Sequence, residues 1–126
     1  MAGTLDAIER NGRMRVGFAA LPGQDREIAG RFVARLEAAT GAQAQISSGP
    51  AERLLGELED GDLDLVIGEF RRGSPWVAAV TIVEPLRRRA AGSHVLGLSP
   101  VAANGENRWV ALLEREVRDS AGQSRE

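Results

Sequence analysis

The sequence predicts an α/β domain, a single three-layer lobe in which helices cover both faces of a mixed, mostly parallel sheet. Two observations carry that reading. Helical and strand periodicities alternate from the start of the chain, in the order helix–strand–helix–strand–helix–strand. The third strand, "LDLVIG", contains the unbroken apolar run Leu65, Val66 and Ile67, as expected of a central parallel strand covered on both sides. At 126 residues the chain fits one domain with a substantial core.

The elements follow in order. "TLDAIERNG" reads as a short amphipathic helix in which Thr4 caps the start, Leu5 and Ile8 share a face, and Gly12 ends it. "RMRVGFAA" is the first strand, with Met14, Val16 and Phe18 alternating against Arg15 and Gly17. "DREIAGRFVARLEAATG" is the clearest helix: Ile28, Phe32, Leu36 and Ala39 recur at helical spacing, and Gly41 supplies the left-handed stop. "AQAQIS" alternates as a second strand near a sheet edge. "SGPAERLLGELEDG" is the next helix, with Pro50 at its first turn and Leu54, Leu55 and Leu58 turned inward. "WVAAVTIV" and "HVLGL" are the fourth and fifth strands. Trp109, Leu112, Leu113 and Val117 mark a last helix from Gly105 to about Arg118, so the lobe spans 3–118 and 119–126 form a frayed tail.

Composition excludes several functions. A net charge of −2 argues against a nucleic-acid partner, which needs a basic face. Every basic residue except His94 is arginine, and the arginines are scattered. The absence of cysteine removes disulfides, thiolate metal sites and Cys nucleophiles. No paired carboxylates, Ser–His arrangement or metal-ligand cluster stands out, so the sequence points away from an enzyme and calls for no cofactor or metal. No apolar run approaches the roughly 18 residues of a membrane span. The opening "MAGTLDAIERNG" lacks the apolar core of a secretory signal.

Right-handed crossovers place strand one between strands two and three. In open sheets of this kind, ligands gather outside the carboxyl ends of the strands where the order reverses. Residues 18–22 and 68–72 then form the lips of a crevice. No acidic cluster follows strand one, which disfavours a receiver domain.

The ordered series "GTLDAIERNGRMRVGF", "DREIAGRFVARLEAATGAQAQIS", "GPAERLLGELEDGDLDLVIG" and "VTIVEPL" resembles the extracellular solute-binding proteins of family 3, the polar amino-acid receptors of ABC importers, over about residues 3 to 86. A full member then enters a second lobe. Here "EPLRRRAAGSHVLGLSPVAANGENRWVALLEREV" passes, through the link Arg87 to Ser93, straight to a strand and helix similar to the family's return strand and closing helix. The resemblance therefore implies one complete lobe of the periplasmic binding protein type II fold, with five strands in the order 2-1-3-5-4 and strand five antiparallel to its neighbours.

It also implies a small polar or anionic solute as ligand, a membrane transporter as possible partner, and the periplasm as location if a leader has been removed. The candidate ligand-binding residues are Phe18, Gly68, Glu69, Phe70, Arg71 and Arg72. Phe18 stands either at the crevice or in the core. Glu69 either receives a ligand ammonium or pairs with Arg71 or Arg72. Trp76 either covers the rim or anchors strand four. Arg87, Arg88 and Arg89 form either a solvated turn or a surface for an acidic partner or lipid. Ser47, Ser48 and Gly49 precede a helix whose free amides offer a modest anion site. One open wall leaves a ligand wet, so binding near the millimolar range, about −4 kcal/mol, is expected. The alternative is a protein-interaction module in which Leu21, Phe70 and Trp76 form an apolar patch that closes a homodimer through the lobe-facing surface.

Overall fold

The computed structural model describes residues 3–71 and 80–124; Arg72 and Trp76, both named above, lie outside them. Four helices and six strands run in the order α1 (Thr4–Asn11), β1 (Arg13–Ala19), α2 (Gly23–Thr40), β2 (Gln43–Gly49), α3 (Ala51–Glu59), β3 (Leu65–Arg71), β4 (Val80–Ile82), β5 (Arg87–Ala91), β6 (His94–Ala103) and α4 (Asn107–Ser124). The sheet order is β2-β1-β3-β6-β4, with β5 also paired to β6. β2, β1 and β3 are parallel, and β6 runs antiparallel to β3, β4 and β5. With β6 as the expected fifth strand, this is the order 2-1-3-5-4.

The core divides by sheet face. On one side, Met14, Val16, Phe18, Leu65, Ile67 and Leu98 pack under Leu5 and Ile8 of α1, Phe32 and Leu36 of α2, and Trp109, Leu113 and Val117 of α4. On the other, Val66, Val80 and Val101 pack under Leu54, Leu55 and Leu58 of α3. The strand alternation sorts β3 between the two cores: Leu65, Ile67 and Glu69 take the first face, and Val66, Gly68 and Phe70 the second.

Helix ends follow local chemistry with one exchange of roles. Gly12 (φ 70°) and Gly41 (φ 74°) close α1 and α2 in the left-handed conformation, as glycine alone does at low cost. Thr4, expected as a cap, is instead the first helical residue; its N–H donates to Glu106 Oε1 at 2.6 Å, so a carboxylate from the start of α4 satisfies it. On α2, Phe32 and Leu36 are buried as the spacing predicts, whereas Ala39 is exposed. α4 continues past Arg118 to Ser124, and Asp119 on its extra turn lies 3.8 Å from Arg35 of α2.

Three differences from the sequence reading matter for the site. β3 does not stop at Gly68 but runs through Glu69, Phe70 and Arg71, because β6 continues alongside and pairs with all three. The expected link Arg87 to Ser93 is a strand and tight turn: β5 pairs with β6 from Arg87↔Leu98 to Ala91↔His94, turning at Gly92 with φ 63°. Among the described residues the sheet therefore has six strands rather than five. β6 is also twice the expected length and passes through Pro100. Proline is tolerated because its carbonyl accepts the Val83 N–H at 2.9 Å on the β4 side. The N–H it lacks would have pointed to that same side, where the edge is already interrupted between β4 and β5, and not toward β3.

Candidate functional site

The rim at the carboxyl ends of β1 and β3 is built from short-range constraints. β1 leaves the sheet on a tight turn in which the Ala20 N–H donates to the Phe18 carbonyl at 3.1 Å. Ala20 holds φ 51°, the left-handed region, at a cost of roughly 1–2 kcal/mol for a residue with a Cβ. Beside it, Gly68 brings β3 close to β1. A Cβ there would lie 2.9 Å from Ala19 Cβ and 3.1 Å from the Phe70 ring.

Two arrangements of charge flank β3 at this end. On the α2 face a chain of alternating signs runs Asp25–Arg87–Glu69–Arg89. Arg87 donates from Nε and Nη2 to the two oxygens of Asp25, at 2.9 and 2.5 Å, and from Nη2 to Glu69 Oε2 at 3.0 Å. Arg89 forks onto Glu69, with Nε to Oε2 at 2.6 Å and Nη2 to Oε1 at 2.7 Å. The register explains the meeting. Glu69 lies opposite Leu98, and Leu98 opposite Arg87, so the three side chains share one face across adjacent strands. The Arg89 fork, helped by Arg87, holds the Glu69 carboxyl below its ordinary value; Arg87 is raised by Asp25 first and Glu69 second, and Arg89 by Glu69. Asp25 sits in the first turn of α2, where the helix dipole favours a carboxylate.

On the other side, an open groove of ≈ 850 Å³ runs between the end of β3 and the β5–β6 hairpin. Phe70, Ile82, Val83, Pro85 and Val95 line it with apolar surface, and Arg71, Arg88, His94 and Glu84 place charge or a ring nitrogen along it. Arg71 Nη1 is 3.3 Å from His94 Nε2, a contact in which the guanidinium can only donate. Arg88 is exposed and has no ion-pair or hydrogen-bond partner among the described residues. Two cationic side chains over an apolar floor suit a carboxylate-bearing molecule. Among the described residues, no group of three or more His, Cys, Asp and Glu is placed to hold a metal ion.

The candidates named from sequence are thus separated. Phe70 and Arg71 line the groove, and Gly68 sets how closely β1 approaches it. Glu69 belongs to the ion chain, and its partners among the described residues are Arg87 and Arg89 of β5 rather than Arg71. Phe18 is 5% exposed and packs in the core, beneath the rim. Leu21 and Phe70 pack against opposite cores, so they do not make one patch; among the described residues the exposed large apolar side chains are Val95 and Ile46. Ahead of α3, Ser48 is taken by two arginines: Arg26 Nη2 donates to its Oγ at 2.7 Å and Arg53 Nη2 to its carbonyl at 3.0 Å. Sequence reasoning did not single out Asp25 or pair it with Arg87. The available signal was the alternation of Arg87, Arg88 and Arg89, which as a strand divides them between two faces.

No family model matches the sequence, and the search of curated proteins finds no match. Solved structures do match. The arginine-bound form of domain 1 from TmArgBP superposes with a TM-score of 0.74 at 17% identity, over 90% of this chain and 98% of that one. An ancestral amino acid-binding protein, a precursor of cyclohexadienyl dehydratase, gives 0.77 at 11% identity over 98% and 95%. An amino-acid ABC transporter substrate-binding protein from Streptococcus pneumoniae, bound to L-arginine, gives 0.75 at 7% identity over 98% and 94%. The fold is that of a single lobe of the amino-acid-binding proteins. Domain 1 of TmArgBP has that fold over nearly its whole length.

Proposed function

We propose that this chain is a single-lobed solute-binding module that takes a small polar or anionic solute through its carboxylate, in the groove between β3 and the β5–β6 hairpin. The observation that carries the reading is Arg88, an exposed guanidinium without a partner among the described residues, on the groove that Arg71 and Phe70 also line. The likeness to a lone lobe described in an arginine-bound form supports it, since that protein holds a ligand without a second lobe in its chain. Here Arg71 and Arg88 grip the carboxylate, Phe70 and Pro85 carry the apolar part, and Gly68 leaves room for the Phe70 ring beside the closely packed β1. With one wall the ligand stays partly wet, and affinity falls near the millimolar range, about −4 kcal/mol. A second copy facing the groove would supply the missing wall, and a membrane transporter is the partner that such a lobe would serve in the periplasm.

The test is a nuclear magnetic resonance titration with acetate, succinate, L-glutamate and L-arginine. Amide shifts should saturate at Phe70, Arg71 and Val95, and Arg71→Ala or Arg88→Ala should weaken binding about tenfold, the worth of one charge-assisted hydrogen bond. Shifts that are absent, or unchanged in both variants, end the reading. A second reading, a homodimer without ligand, is favoured by Val95, which is 55% exposed beside the groove. Light scattering after size exclusion that shows a dimer indifferent to all four solutes would select it.

A further inference from the structure

The guanidinium of Arg87 stands to Asp25 and Glu69 as a ligand stands to its receptor. The two carboxylates come from separate elements, the first turn of α2 and the end of β3, and Arg87 reaches them from β5. Asp25 is 6% exposed, and Arg87 is the partner its carboxylate has in the described structure. The contact has the side-on geometry by which a carboxylate recognises a planar guanidinium, with Nε and one Nη donating in parallel. The far nitrogen, Nη1, is itself buried and has no acceptor among the described residues, so burial reaches past the edge that the carboxylates hold. We propose that Asp25 and Glu69 form a guanidinium-binding site that the chain fills in cis with Arg87. A solute's cationic group then finds that end of the rim taken, and recognition is left to the anionic end in the groove. The inference rests on the ion chain; only its consequence for a solute rests on the solute reading above.

Because the carboxylates are anchored on α2 and β3, removing the Arg87 side chain leaves the site open and charged. Arg87→Ala is therefore expected to melt below the wild type in sodium chloride and to be rescued by guanidinium. With a dissociation constant near 10 mM, about 30 mM guanidinium chloride should raise its melting temperature by roughly 3 °C over sodium chloride at the same ionic strength. The wild type should show no such rise, and methylguanidinium, closer in shape to the lost group, should act at least as strongly. The double variant Asp25→Asn/Arg87→Ala removes the buried unpaired charge; it should fold and give no response. Circular dichroism reads all arms. The proposal is overturned if Arg87→Ala is folded but responds no more than the wild type. It is equally overturned if the double variant responds as strongly, or if Arg87→Ala stays unfolded with guanidinium present.

Discussion

Replacing Gly68 by alanine tests how tightly the rim is built. The added Cβ would sit 2.9 Å from Ala19 Cβ, and 3.1 Å from two atoms of the Phe70 ring. Carbon atoms prefer about 3.5–4.0 Å, so the Ala19 contact is short by roughly 0.6–1.1 Å. The ring can rotate away, but Ala19 Cβ is fixed to the β1 backbone and moves only if the strand does. Overpacking of this kind costs about 1–3 kcal/mol. Against it stands the conformational entropy saved when glycine leaves a strand, roughly 0.5–1 kcal/mol. The steric term wins, and a net loss of about 1–2 kcal/mol is expected by urea denaturation. Ala19→Gly in the same chain should recover much of it, since the rigid neighbour is then gone. In the groove, the displaced Phe70 ring should also weaken carboxylate binding. A Gly68→Ala protein as stable as the wild type, or a loss that Ala19→Gly leaves untouched, would refute the close approach of β1 and β3 as the cause.

Other outcomes follow from the same geometry. Glu69 is held below its ordinary pKa of 4.5, so its ion pairs stabilise the fold above that value and are lost as the pH falls through the lower folded-state one. The urea stability of wild type over Glu69→Gln should therefore be present at about pH 6 and shrink progressively as the solution is acidified below the ordinary carboxylate range. Asp6, also lowered by its partner Arg108, titrates in both proteins and cancels; a gap that survives acidification would count against the ion chain. Trp109→Phe should cost about 1–3 kcal/mol, because the buried Asp64 carbonyl loses the indole N–H that meets it at 2.8 Å. Circular dichroism in urea reads this, and a loss below about 0.5 kcal/mol would mean that another donor reaches the carbonyl.

Much of the lobe was legible because its signals are local. The apolar alternation of Met14, Val16 and Phe18, the run Leu65 to Ile67, the leucines of α3, and the stops at Gly12 and Gly41 each depend on a few neighbouring residues. Alternation with helices, joined to the right-handed crossover rule, was enough to order β2, β1 and β3. The β5 strand was hidden because "RRRAA" has neither apolar alternation nor β-branched residues. It is a strand because β6 offers it an edge and because Arg87 and Arg89 find carboxylates on the face they share. The end of β3 was misplaced for a related reason: Glu69 and Arg71 look like loop residues until β6 supplies their backbone partners.

The same division holds for the site. Sequence alone determined that one α/β lobe would present the carboxyl ends of β1 and β3, since periodicity and crossover handedness are properties of short segments. Only the tertiary structure decided which charges meet there. The Asp25–Arg87 pair spans 62 residues, and Glu69 reaches Arg87 across an intervening strand. Pairings at such distances depend on sheet register, which the sum of all the packing contacts sets and no short stretch of chain encodes.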